Sequence, residues 1–106
     1  MLIEQRQAER KILKTKALLT PEGGAAIQAR TGDIGASGMS GSLPVPMKIG
    51  DPAQIRFDLF YEGTATPVVA RTKASYCIYS NGEFKIGLQF LNLDIKAMAV
   101  LAKYLR

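Results

Sequence analysis

The sequence predicts an all-β domain with an accessory helix: a small six-stranded antiparallel β-barrel followed by a C-terminal α-helix. Apolar and polar residues alternate with period two over most of residues 12–92, and the period becomes helical after residue 93. Turn signals separate the alternating segments, which indicates hairpin connections and therefore an antiparallel sheet. A small sheet of this kind usually closes or curls to protect its edges. The 106 residues suffice for one domain and are too few for two independent cores.

The first half of the chain contains two predicted strands and a long loop. Residues 12–19 are rich in branched and apolar side chains, which favours a strand that ends at the Pro-Glu-Gly-Gly turn of residues 21–24. Residues 25–31 then alternate between apolar and polar side chains. Gly, Ser and Pro are frequent in residues 35–52, so we expect a loop there with at most one short strand.

The second half carries the clearest strand signals. Residues 53–61 alternate strictly between apolar and mostly polar side chains, and a long strand is predicted around residues 66–79. Asn81 and Gly82 predict a two-residue hairpin because both tolerate positive φ. Alternation resumes over residues 84–90.

The last segment changes to helical spacing. Asp94 is a suitable N-cap, and the predicted helix spans residues 94–105. We expect its apolar stripe to pack against the barrel; the stripe is formed by Ile95, Met98, Ala99, Ala102 and Leu105. The elements together predict a single domain over residues 1–106, with a flexible N-terminal arm at 1–11, a barrel at 12–92 and this helix.

Composition excludes several classes of function. The chain has no histidine and one cysteine, which argues against a zinc site and against the commonest general base, so we expect no catalytic residue, no metal and no enzymatic activity. No apolar run is long enough to cross a bilayer, and the first residues lack the core of a signal peptide. Cys77 has no internal disulfide partner, which favours a cytoplasmic location.

Positive charge is concentrated at the two ends of the chain. The formal net charge is +5, of which residues 1–16 carry +3 and residues 94–106 carry +2. The net charge of residues 17–93 is therefore zero. An anionic partner is expected to meet the termini first.

Two short sequence motifs could bind an anionic partner. Arg6 and Arg10 are spaced as R-x-x-x-R, and two converging guanidiniums offer bidentate donors to phosphate or to the O6/N7 edge of guanine. The alternative is a solvated basic tail. The second motif, Asp-Ile-Gly-Ala-Ser-Gly at residues 33–38, follows a predicted strand and offers one carboxylate among small residues. The alternative interpretation of this segment is an ordinary turn with no role in binding.

Taken together, these motifs resemble those of the PilZ family. The family signature combines R-x-x-x-R in an N-terminal arm with [D/N]-x-S-x-x-G, and the chain has RQAER and DIGASG in that order. The segment YSNGEFKIGLQFLNLD is similar to the closing hairpin of the family. One position departs from the pattern, because Gly35 stands where the family has serine. The loss of that hydroxyl is expected to weaken binding about tenfold and need not abolish it.

The resemblance implies a β-barrel receptor for the bacterial second messenger cyclic di-GMP, which is a ligand and not a cofactor. It implies a binding site formed by Arg6, Arg10, Asp33, Gly35 and Gly38. Candidates for additional contacts are Gln5, Arg30 and Arg71. Ligand binding would order the arm on the barrel and alter contacts with a downstream protein partner whose identity the sequence does not give.

Two other functions stay open at this point. A PilZ-like adaptor could keep the fold, lose the ligand and act through protein contacts alone, which the glycine at position 35 makes plausible. A barrel that binds single-stranded nucleic acid would need a basic groove with exposed aromatic side chains. The sequence places its charge at the termini and its aromatic residues at positions typical of a core. We therefore expect no nucleic-acid partner and no insertion into a membrane.

Overall fold

The fold comes from a computed structural model that describes residues 9–106. Gln5, Arg6 and the rest of residues 1–8 lie outside the described residues. The elements, in chain order, are β1 (Arg10–Ile12), β2 (Lys16–Pro21), β3 (Ile27–Gly35), β4 (Gly38–Leu43), β5 (Pro52–Tyr61), β6 (Thr64–Ser80), β7 (Glu83–Asn92) and α1 (Ile95–Tyr104).

Six of the strands close into a barrel, which confirms the predicted fold class. The order around the barrel is β2, β3, β4, β7, β6, β5 and back to β2, and every pairing is antiparallel. The extra strand, β1, pairs with the last residues of β3, beyond the part of β3 that pairs with β2. The predicted single strand over 12–19 is thus wrong. Strand structure begins at Arg10, which lies within the predicted arm, and it is interrupted at residues 13–15.

Thr31 explains the interruption between β1 and β2. Its side chain is buried, and its hydroxyl donates to the Leu13 carbonyl while it accepts from the Thr15 amide at 2.9 Å. The Leu13 amide donates to the Gly32 carbonyl, so the irregular residues keep their backbone hydrogen bonds to β3. Alternation of side chains does not reveal such a break, because the residues on both sides are equally typical of strands.

The hairpins follow the turn chemistry of the sequence. Asn81 and Gly82 both have positive φ, at 52° and 82°, which confirms the predicted two-residue turn between β6 and β7. Glu62 and Gly63 connect β5 to β6 in the same way. The stretch at 35–52 contains one strand, β4.

The helix caps one side of the barrel core. Asp94 accepts a hydrogen bond from the Ala97 amide at 2.7 Å, which confirms the predicted N-cap. The predicted apolar stripe is wrong for most of its members: Leu105 packs against the core, but Ile95 is 82% exposed and Met98 47% exposed, and the buried residues are Ala97 and Leu101. Apart from two lysines the helix has uncharged residues on all sides, so its periodicity does not single out the face that packs. Contacts with β5 and β6 select that face.

Candidate functional site

An ion pair joins the two sequence motifs. Arg10 begins β1 and lies opposite Gly35 in the ladder with β3, while Asp33 lies opposite Ile12. The Arg10 Nη2 atom donates to Asp33 Oδ1 at 2.9 Å. About 40% of each side chain remains exposed. Two candidate residues that are distant in sequence are therefore in direct contact, at a place where solvent and a ligand can reach both.

Ser40 on β4 fixes the orientation of the Asp33 carboxylate. Its hydroxyl donates to Asp33 Oδ1 at 2.8 Å and accepts from the Asp33 amide at 3.1 Å. The hydrogen bond from Arg10 is the main cause that lowers the pKa of Asp33 below its usual value, and the Ser40 hydroxyl adds to it against the opposing effect of burial. The carboxylate is therefore ionised at neutral pH and is held from two sides.

Gly35 provides the surface on which the Arg10 stem lies. A Cβ atom at Gly35 would be 3.1 Å from Arg10 Cγ and 3.1 Å from the Glu9 carbonyl oxygen, which is tighter than most real contacts. The φ angle of Gly35 is not positive, so crowding and not backbone conformation limits this position. A serine here, as in the family pattern, requires the Arg10 stem to shift.

Gly38 allows β4 to approach β7. A side chain at Gly38 would overlap the Leu88 carbonyl oxygen, which belongs to the neighbouring strand. Gly38 pairs with Gln89, and the Phe90 amide donates to the Ser37 carbonyl at 2.9 Å just before it. The glycine of the motif therefore has a structural role in bringing the two strands together beside the ion pair.

The ion pair lies at a cavity of about 390 Å³, which is within the range of small-molecule sites. It is lined by Arg10, Asp33, Ser37, Gly38, Met39, Ser75, Tyr76, Gly87, Leu88 and Gln89. Sequence reasoning missed Ser40, Tyr76 and Gln89. Ser40 is only seven residues from Asp33, but it belongs to β4, in a stretch that the sequence predicts to be mostly loop. Tyr76 and Gln89 belong to β6 and β7, which come near β3 only through the closure of the barrel, so no local spacing connects them to Asp33.

The structure does not bring the additional candidates on the barrel into this cavity. Arg30 lines a separate, larger cavity of about 830 Å³, together with Lys16 and Arg56. Arg71 is exposed on β6 and its amide donates to Asn92 Oδ1 at 3.2 Å. Arg6 and Gln5 are outside the described residues.

Residues 9–106 contain no group of three or more His, Cys, Asp or Glu side chains that could hold a metal ion. Their single helix is too short to pass through a lipid bilayer.

Comparisons with known proteins agree with this architecture. A family model described as PilZ domain matches residues 4–106. The inhibitor of motility MotI/DgrA of Bacillus subtilis superposes with a TM-score of 0.85 at 17% identity, over 96% of this chain and 50% of that one. A search of curated proteins found no match.

Other similar structures contain a ligand. Escherichia coli YcgR in complex with c-di-GMP has a TM-score of 0.73 at 15% identity, over 96% of this chain and 45% of that one. Borreliella burgdorferi PlzA in complex with c-di-GMP has a TM-score of 0.69 at 16% identity, over 97% of this chain and 42% of that one. The chain thus spans about half the length of these three structures, and at such identities the likeness shows the fold.

Proposed function

The chain belongs to the PilZ domain family, and we propose that it is a receptor for cyclic di-GMP. The observation that carries the proposal is the ion pair between Arg10 and Asp33 at the edge of a cavity of ligand size. It unites the two motifs of the family signature. The structures of YcgR and PlzA in complex with c-di-GMP, which share the fold, support the same ligand.

The chemistry of the pair suits this ligand. Cyclic di-GMP presents negative phosphates and the hydrogen-bonding edges of guanine. Arg10 uses one guanidinium nitrogen on Asp33, and a guanidinium has five N–H donors, so donors remain for a phosphate or for guanine O6 and N7. Both side-chain hydrogen bonds to the Asp33 carboxylate end on Oδ1, within the described residues. Oδ2 is therefore available to accept from guanine N1 or N2. In this proposal Arg6 adds a second guanidinium.

The signal would pass from the ligand to the end of the helix through β1. Lys11 Nζ donates to the Arg106 carbonyl at 2.7 Å, and the Tyr104 hydroxyl donates to the Ile12 carbonyl at 3.1 Å. The strand that begins with Arg10 is thus attached to the C-terminal residues. A ligand that displaces β1 when it binds Arg10 would shift both of these contacts, and a protein partner would recognise the changed surface.

A titration of cyclic di-GMP, followed by calorimetry, tests the receptor proposal. Arg10→Ala is expected to lose about ten- to hundredfold in affinity, because a charge-assisted contact is worth about 1.5–3 kcal/mol. Arg56→Ala is the matched control, since it removes the same charge from an exposed strand position outside the cavity. Its affinity is expected to stay within about twofold of the wild type, in line with the small effects of exposed charges away from a site.

The result that contradicts the proposal is an absence of binding by the wild-type protein at high micromolar ligand. The second candidate, a PilZ-like adaptor without a ligand, would then account for the chain. Gly35 favours that candidate, because it removes the family hydroxyl and because a serine cannot be restored there without moving Arg10.

A further inference from the structure

Tyr76 occupies an unusual position in the wall of the cavity. The register between β6 and β7 shifts after Ala74, which pairs with Leu88, so that Tyr76 pairs with Gly87 and Ser75 is the extra residue of a β-bulge. Before the bulge the inward side chains of β6 are those of Val68, Ala70, Thr72 and Ala74, all buried. Uninterrupted alternation would send Tyr76 inward with them. The bulge instead turns it outward, and it is 40% exposed.

The ring of Tyr76 lies on the backbone of Gly87. A Cβ atom at Gly87 would overlap Tyr76 Cε2 and Cδ2, so the ring fills the space that a side chain at position 87 would take. An aromatic side chain that covers a glycine on the neighbouring strand is held firmly on one face. Because the residue is nevertheless 40% exposed, part of the side chain remains accessible to a ligand.

Tyr76 lies in the wall of the same cavity as the ion pair. Tyr76 lines it together with Arg10, Asp33 and Gln89. The ion pair offers hydrogen bonds directed at the edge of a planar ring and at phosphate, and Tyr76 offers a flat apolar surface. A purine base needs both, since stacking on an aromatic side chain contributes to nucleotide binding independently of the contacts to its edge.

We propose that Tyr76 is the stacking platform on which this domain binds a purine base, held in place by the bulge at Ser75 and by the absence of a side chain at Gly87. The inference rests on the proposed function and names a further residue of the same site. The bulge positions the platform, and the ion pair fixes the edge of the base.

Three variants test the platform by their affinity for cyclic di-GMP. Tyr76→Ala removes the ring and is expected to weaken binding at least about fivefold, as removing a stacking aromatic does elsewhere. Tyr76→Phe keeps the ring and is expected to remain within about twofold, because within residues 9–106 the Tyr76 hydroxyl makes no hydrogen bond whose loss would matter. Tyr79→Ala is the matched control, since Tyr79 is on the same strand, is 65% exposed and pairs with Phe84 away from the cavity.

A second readout does not depend on affinity. The chain has four tyrosines and no tryptophan, so its intrinsic fluorescence comes from tyrosine. Stacking of a base on Tyr76 is expected to quench part of that emission, and Tyr76→Phe is expected to lose this quenching while it still binds. A wild type that binds cyclic di-GMP while Tyr76→Ala binds equally well overturns this inference alone. A wild type that does not bind overturns the proposed function and this inference with it.

Discussion

Two cavities of the barrel differ in how firmly their charged side chains are held, and neither the size of the cavity nor its number of charges predicts that difference. The larger, of about 830 Å³, is lined by Lys16, Arg30 and Arg56 together with two carboxylates. The smaller, of about 390 Å³, has a single arginine and a single aspartate. Yet the one salt bridge of residues 9–106 is in the smaller cavity, where Ser40 fixes the aspartate.

The difference shows what makes a group of charges a binding site. Exposed lysine and arginine side chains that contact no fixed partner must lose rotamer freedom before they can hold a ligand. Arg10 and Asp33 have already lost part of that freedom in the free protein, so more of the interaction with a ligand appears as affinity. Preorganisation therefore favours the smaller cavity, although the larger one has more cations.

The largest effect is expected from Gly38→Ala, which would distort the strands that form the wall of the smaller cavity. The new methyl group would overlap the Leu88 carbonyl oxygen, and the strands β4 and β7 must separate to admit it. We expect the free energy of unfolding to fall by about 1–3 kcal/mol, as for other overpacked positions. Denaturant unfolding measures the loss. In the control, Gly24→Ala, the methyl group would be 3.4 Å from Pro21 Cγ, an ordinary contact, and an equal loss in both variants would contradict this account of Gly38.

A smaller effect is expected from Asp33→Ala, which tests whether a carboxylate in the smaller cavity contributes more to binding than one in the larger cavity. It removes the acceptor for guanine and the partner that orients Arg10, so we expect a loss of about tenfold or more in affinity for cyclic di-GMP. Asp58→Ala removes a carboxylate from the larger cavity and is expected to leave the affinity nearly unchanged. Calorimetric titration measures the affinity of each variant for cyclic di-GMP. Equal losses would mean that charge alone, and not its arrangement, determines binding.

The smallest effect is a pH dependence of stability at the ion pair. The pKa of Asp33 is lowered in the folded protein relative to its ordinary value of 3.8. Its contribution to the free energy of unfolding is therefore complete above that value and is lost as the pH falls through the lower, folded pKa. Since both side chains are well exposed, the contribution should stay below about 1 kcal/mol.

Denaturant unfolding of the wild type and of Asp33→Asn at pH 7 and at about pH 3 measures this term. The wild type is expected to lose slightly more stability on acidification than the variant does, because the variant has no carboxylate to protonate. A greater loss in the variant would show that Arg10 does not stabilise the ionised form.

Features determined locally could be predicted from the sequence. Asn81 and Gly82 form the expected turn because only residues that tolerate positive φ fit it, and Asp94 caps the helix because its carboxylate reaches the Ala97 amide three residues on. The family resemblance places the motifs of Arg10 and Asp33 in one site, but the ion pair between these two residues, 23 apart in the chain, has no local signal in the sequence.

Features that depend on the closed barrel could not be predicted. The break at residues 13–15 is fixed by the buried hydroxyl of Thr31 on another strand, and the bulge at Ser75 reverses the alternation of β6. Each shifts side chains by one position, which moves them to the opposite face of the sheet. Tyr76 therefore has the sequence pattern of a core residue and the position of a site residue.

The most direct test is a titration with cyclic di-GMP followed by the backbone amide resonances of the protein. If the preorganised pair forms the site, the largest shifts occur at Arg10, Asp33 and Gly38 and at Tyr76 and Gln89 across the cavity, while Lys16 and Arg30 are unaffected. If the shifts instead centre on Lys16, Arg30 and Arg56, or if no resonance moves at high micromolar ligand, the Arg10–Asp33 pair is not the binding site for this messenger.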